Sequence, residues 1–164
     1  MSIHIYTGDG KGKTTCATGL SARFACYGKT VDFFRFLKCE NDGECKTLKK
    51  YINFYCIEEK FGFVWEMSEA EKLKLADKTN KLWQKAKISN AEMIVLDEIF
   101  GAIEVWFIDK EEVIQFLKQT ETEVVLTGRN PDKEFVDLAD YVTEMKKIKH
   151  PFDKGFPAKQ GIEF

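Results

Sequence analysis

No C-x-x-C pair occurs in this 164-residue sequence, and its five cysteines, Cys16, Cys26, Cys39, Cys45 and Cys56, are odd in number. That pattern argues against a zinc site or a disulfide framework. Cys39 and Cys45 flank an acidic, glycine-containing loop as a redox pair would, but reduced thiols and a cytoplasmic address are the expectation. No apolar run approaches a membrane span, and no signal-peptide pattern opens the sequence. Neither sign of charge dominates: the net charge of −2 gives no electrostatic case for nucleic acid or an anionic membrane. Internal repeats and low-complexity segments are also missing. The 44% hydrophobic and 32% charged fractions suit one globular domain over residues 1–164, with an irregular tail from about 146.

What is there begins with Thr7-Gly8-Asp9-Gly10-Lys11-Gly12-Lys13-Thr14-Thr15. It follows Ile3-His4-Ile5-Tyr6, which reads as a strand, and leads into Cys16 to Ala25, which reads as a helix. Strand, glycine-rich turn ending Gly-Lys-Thr, then helix is the setting of a phosphate-binding loop. Glycines let successive N–H groups turn inward at phosphate oxygens, and the helix N-terminus adds partial positive charge. Lys13 supplies a full charge and Thr14 a hydroxyl for magnesium. The usual spacing, G-x-x-x-x-G-K-[S/T], puts Thr7 where a glycine is expected; Gly8 and Gly10 follow it instead.

Further strands are expected at Val31–Leu37, Tyr51–Ile57, Ala91–Glu98, Val124–Thr127 and Tyr141–Met145, with Gly28 capping the first helix. Lys38 to Lys46 is polar, with Asn41-Asp42-Gly43 as turn chemistry. Ser68 and Glu71 form a capping box that opens a long helix with an apolar face of Leu75, Thr79, Leu82, Trp83 and Ala86. Asp109 with Glu112 caps another, and Asn130-Pro131 is expected to start a short one. Four consecutive apolar residues before Asp97-Glu98 suit a central parallel strand covered on both faces. Strands alternating with helices predict a three-layer α/β fold of the phosphate-loop NTPase type, its mostly parallel sheet carrying helices on both faces. Ligands of such sheets sit at the C-terminal strand ends, where the glycine-rich loop, Asp97-Glu98 and Gly128-Arg129 converge.

Asp97 and Glu98 are candidate magnesium ligands opposite Thr14, and spacing does not say which lies closer. Arg129 is either a triphosphate or carboxylate contact or an ordinary surface arginine. Phe63 and Trp65, around Gly62 in a loop-like segment, either pack in the core or face a large planar ligand. His150 is a candidate base or ligand, though a lone histidine is more often structural, and Lys146, Lys147 and Lys149 read as a solvated face. The residues alone support a magnesium-dependent nucleotide-binding protein and do not name its reaction.

Several segments together resemble the corrinoid adenosyltransferases, which move an adenosyl group from ATP to cob(I)alamin. They are Tyr6 to Thr15, Phe36-Leu37-Lys38, Gly62-Phe63-Val64-Trp65, Val95-Leu96-Asp97-Glu98, Thr127-Gly128-Arg129, Leu138 to Met145, Lys149-His150-Pro151-Phe152 and Gly161-Ile162-Glu163-Phe164. The resemblance runs nearly the whole length in the same order, and the family shares the unusual start of the loop. It implies ATP bound in reversed polarity with its 5′ carbon toward the corrinoid, in-line attack by cobalt(I), and departure of triphosphate. Lys13, Thr14 and Glu98 would then be the catalytic residues, with Thr14, Asp97 and Glu98 at magnesium. Thr7 to Thr15 and Arg129 would hold ATP. Phe63 and Trp65 would lie beneath the corrin ring, exclude the lower axial ligand and ease reduction of cobalt(II).

The resemblance also implies a homodimer served by a flavoprotein or other reductase; the charge balance and the lack of an apolar span lead us to expect no nucleic-acid or membrane partner. Many members carry an N-terminal extension over the site; this sequence starts almost at its first strand, so cover is expected from a partner subunit or a different lid, unless the site is more open. Lys159 stands where the family pattern has glutamine. The competing expectations are a small-molecule kinase or ATP-dependent ligase on the same fold, and a non-catalytic nucleotide- or corrinoid-binding protein.

Overall fold

The computed structural model describes residues 1–37, 43–59, 62 and 66–163. Phe63 and Trp65, Cys39, and Asn41-Asp42 of the expected turn lie outside the described residues. In chain order the elements are β1 (Ile3–Thr7), α1 (Lys13–Ala25), β2 (Val31–Arg35), α2 (Gly43–Leu48), β3 (Asn53–Cys56), α3 (Glu69–Lys87) and β4 (Met93–Asp97). After these come α4 (Ile99–Glu104), α5 (Lys110–Gln119), β5 (Glu123–Thr127), α6 (Lys133–Leu138), β6 (Tyr141–Glu144) and a 3-10 turn at Pro151–Lys154. The strands form one sheet in the order β3-β2-β4-β5-β1-β6. Every pairing is parallel.

Strand alternation divides the sheet into two faces. Val31, Phe33, Met93, Val95 and Val125 point toward Ala17 of α1, with Leu20 and Phe24 packed alongside. Phe34, Ile94, Leu96, Val124 and Leu126 point the other way, into a core with Leu75, Leu82 and Trp83 of α3, Phe100 of α4, and Val113, Ile114 and Leu117 of α5. This accounts for the unbroken apolar run of β4: each of its five residues is buried, because helices cover both sides. The architecture is the expected three-layer α/β fold.

The long helix forms as read. Ser68 Oγ accepts the Glu71 amide at 3.4 Å while the Glu71 carboxylate accepts the Ser68 amide at 2.8 Å. All five predicted face residues of α3 are buried. Trp83 Nε1 donates to Glu112 Oε2 at 2.9 Å, tying α3 to the start of α5. Thr79 also belongs to that face, but its buried hydroxyl has no partner among the described residues. On α5 the Asp109 side chain caps by accepting the Glu112 amide at 3.0 Å.

Two local expectations are corrected, and one short helix is added. The short helix after β5 starts at Lys133 with Asp132 as its N-cap, not at Asn130. Asn130 takes a left-handed backbone (φ 48°), whereas an N-cap residue needs an extended one. Within the polar stretch read as a turn, Gly43–Leu48 is helical; it buries none of its residues, so no apolar periodicity marked it. Helix α4 follows Glu98 at once, turning on that residue's left-handed conformation (φ 61°). No helix among the described residues is long and apolar enough to cross a membrane.

Candidate functional site

The glycine-rich loop spans Gly8 to Gly12, between β1 and α1. Gly8 and Gly12 have φ of 103° and 113°, a region costly to residues with a Cβ. Gly8 and Gly10 answer a second constraint as well. A Cβ at either would lie 2.5 Å from the carbonyl oxygen of Met145, just past β6. The same carbonyl accepts the Gly10 amide at 2.6 Å, and the Met145 amide donates to Thr7 O at 2.8 Å. Asp9 Oδ1 accepts the Lys147 amide at 2.9 Å. That bond, with smaller help from the charges of Lys147 and Arg129, holds the Asp9 carboxyl below its ordinary pKa. The loop is thus walled on one side by the backbone that leaves β6.

Helix α1 starts at Lys13, three residues earlier than the sequence indicated, so its first turn and its free amides abut the loop. Lys13 is buried, and its ammonium donates to the carbonyls of Gly8 at 2.8 Å and Gly10 at 2.9 Å. Thr14 Oγ1 donates to Asp97 Oδ1 at 2.9 Å, across 83 positions of sequence. Thr127 at the end of β5 donates to the same oxygen at 2.6 Å, and accepts the Glu98 amide at 3.0 Å. Asp97 is fully buried and Glu98 half-buried.

These groups meet because α1, β4 and β5 all present their ends on one face. Alternation puts Asp97 with Met93 and Val95 on the α1 side, and Thr127 with Val125. Arg35, ending β2, is paired in register with Asp97, and its Nε lies 4.0 Å from Asp97 Oδ2. Gly128 has φ 145°, and a Cβ there would meet Phe100 Cβ at 2.9 Å, so β5 must leave the sheet on a glycine. Arg129, next in sequence, is exposed, and its charge is felt at both Asp9 and Lys147.

Thr14 and Asp97 are hard oxygen donors of the kind magnesium takes. Among the described residues no group of three or more His, Cys, Asp or Glu side chains comes together as a metal site. A hydroxyl and one carboxylate fit an ion that keeps waters and phosphate oxygens as its other ligands, as magnesium does. His150 does not join the site: its Nδ1 accepts the Phe152 amide at 3.2 Å and caps the 3-10 turn. Lys147 pairs with Asp153 at 2.8 Å, which raises the lysine's pKa.

Sequence reasoning missed the parts played by Arg35, Thr127 and Met145. One signal was available for the first. Arg35 interrupts Phe33-Phe34-Arg35-Phe36 at a strand end, and a charge inside such a run needs a partner.

A lysine and threonine at the head of α1, a glycine loop before them and an aspartate ending a neighbouring parallel strand define the phosphate-loop class of α/β fold. The flagellar accessory protein FlaH from Methanocaldococcus jannaschii shares that fold. Its structure aligns with a TM-score of 0.55 and 14% identity, covering 87% of this chain and 69% of that one. A profile of the ATP:corrinoid adenosyltransferase BtuR/CobO/CobP family matches residues 1–164. A corrinoid adenosyltransferase of Sinorhizobium sp. is 39% identical over 175 residues, covering 99% of this chain and 79% of that protein. The corrinoid adenosyltransferase CobA of Salmonella typhimurium is 35% identical over 170 residues, covering 99% and 85%. The chain belongs to the ATP:corrinoid adenosyltransferase family.

Proposed function

We infer that this chain is an enzyme that moves the 5′-deoxyadenosyl group of ATP to cobalt(I) of a corrinoid, and we propose the following roles for its residues. The observation that carries the reading is the Thr14–Asp97 contact beside the glycine loop, in a chain that matches the family throughout. In the transfer, two electrons from cobalt(I) form the cobalt–carbon bond while the bond from the 5′ carbon to the triphosphate oxygen breaks. Negative charge grows on the leaving triphosphate. Lys13 and the amides at the head of α1 meet that charge with donors already in place. Thr7 to Thr15 cradle the phosphates, and Arg129, whose charge is felt at Asp9, would add a further cation at the loop. Thr14 and Asp97, with Glu98 adjoining, hold magnesium, which when bound polarises the phosphate oxygens.

No side chain need act as nucleophile or general base: the buried carboxylate, Asp97, is engaged by the Thr14 and Thr127 hydroxyls. Phe63 and Trp65 are assigned to the corrin face, and substituting either by alanine is expected to slow conversion of cobalt(II) corrinoid, which must first be reduced, more than of pre-reduced cobalt(I). Equal losses with both substrates would remove that assignment. We also read the enzyme as a cytoplasmic homodimer fed by a separate reductase. The exposed Tyr141 and Val142 of β6 and Ile148 beyond it support a second copy packing there.

The deciding experiment is incubation with ATP, magnesium and chemically reduced corrinoid, followed by absorbance of the alkylated product and analysis of the phosphate product. Adenosylated corrinoid with free triphosphate is expected. ADP with a phosphorylated acceptor would point to a kinase or ligase, and binding without turnover to a regulator.

A further inference from the structure

We propose that Arg35 is the resident counter-ion of Asp97, and that it keeps free divalent metal from occupying the site until the nucleotide brings it. The inference rests on the reading that Asp97 serves the metal.

The geometry divides the Asp97 carboxylate between two tasks. Oδ1 receives both hydroxyls, Thr14 at 2.9 Å and Thr127 at 2.6 Å. Oδ2 faces Arg35 Nε at 4.0 Å. The two residues sit opposite each other in register at the ends of adjacent strands, so the sheet itself fixes their separation. The far side of the guanidinium is anchored too, because Arg35 Nη1 donates to Cys45 Sγ at 3.1 Å in α2. Arg35 is 2% exposed and Asp97 0%. Neither charge is screened by bulk water, and each would be costly to bury without the other.

Hydroxyls orient Asp97, and they would do so without the arginine. The separate contribution of Arg35 is its charge. A buried carboxylate beside a hydroxyl is an attractive seat for any divalent cation, and a fixed guanidinium on its other oxygen offsets that attraction. Among the described residues no third acidic, histidine or cysteine side chain joins Asp97 and the half-buried Glu98 to restore that attraction. What remains is too weakly anionic to take a metal by itself, but sufficient once triphosphate oxygens supply the missing negative charge. Metal and nucleotide then bind together, and the buried cation makes them do so. Arg35 is a positioning residue, acting on the metal through Asp97.

The test is a paramagnetic titration of the full chain with Mn2+ as a stand-in for magnesium, with and without ATP. The native protein is expected to bind Mn2+ at least tenfold more weakly without ATP than with it. Arg35→Gln should tighten the nucleotide-free binding at least tenfold, Arg35→Lys should behave as native, and Arg35→Gln with Asp97→Asn should lose the gain. A native protein that binds Mn2+ equally well with and without ATP overturns the proposal, and that arm decides even if Arg35→Gln fails to fold. A folded Arg35→Gln with no gain also overturns it. Asp97→Asn alone separates the two levels of inference. If it leaves Mn2+–ATP binding unchanged, the role of Asp97 itself is wrong; if it weakens that binding while Arg35→Gln shows no gain, only the counter-ion role falls.

Discussion

Replacing Gly10 by alanine adds one methyl group, and the structure says where it goes. The new Cβ would stand 2.5 Å from Met145 O, 2.9 Å from Met145 C and 3.0 Å from Lys146 C. All three are backbone atoms, so no side chain can rotate away. The exit of β6 must retreat, and with it goes the 2.6 Å bond from the Gly10 amide to Met145 O. Overpacking costs about 1–3 kcal/mol, and a lost backbone hydrogen bond about 0.5–1.5 kcal/mol. A total near 3 kcal/mol lowers the melting temperature by about 6–12 °C for a chain of this size. Gly19→Ala is the matched control. Gly19 lies on the exposed side of α1 with nothing within 4 Å of its added Cβ. There the same methyl group should stabilise by about 0.5–1 kcal/mol, because alanine is the better helix former. Calorimetric melting of both variants, with ATP titrations on each, checks the pair. Opposite signs in melting temperature are expected, with ATP binding lost only in Gly10→Ala. A Gly10→Ala protein that melts and binds ATP like the native chain would refute the claim that Met145 walls the loop.

Other outcomes follow from the same structure. Lys13→Ala should cut kcat/KM for adenosyl transfer by at least about 100-fold, the scale for losing a donor to developing charge, while circular dichroism stays native. Thr79→Val should raise stability by about 1 kcal/mol in denaturant unfolding, since it removes a buried hydroxyl that has no partner among the described residues. Trp106 is 92% exposed and sits at φ 62°. Trp106→Gly should therefore gain about 0.5–1 kcal/mol in the same assay, relief of left-handed strain outweighing glycine's entropy.

The sheet was legible because burial writes itself into sequence. β4 reads as a run of apolar residues since it is covered on both faces, and α3 reads as a stripe closed by a capping box. The loop was legible because its glycines mark where the backbone takes a positive φ or passes against the chain leaving β6. Elements that bury little, such as α2, left no periodicity to find. Contacts made by the backbone left none either: any residue could supply the carbonyl of Met145, so nothing in its identity announced that it braces Gly8 and Gly10. The Thr127 hydroxyl looked like an ordinary strand end until the parallel pairing put it beside Asp97. For Arg35, the odd charge among phenylalanines was visible, but its partner was set by the register of β2 on β4, which only the folded sheet reveals.

The bond from the Lys147 amide to Asp9 spans 138 positions. A ribosome adding about 5–20 residues per second needs on the order of ten seconds to cover that distance. Throughout that interval the nascent polypeptide carries its glycine-rich loop without the backbone that walls it on one side. On the proposed reading of the loop, competence to hold substrate comes late in synthesis, and fragments that stop short of β6 should sequester no ATP.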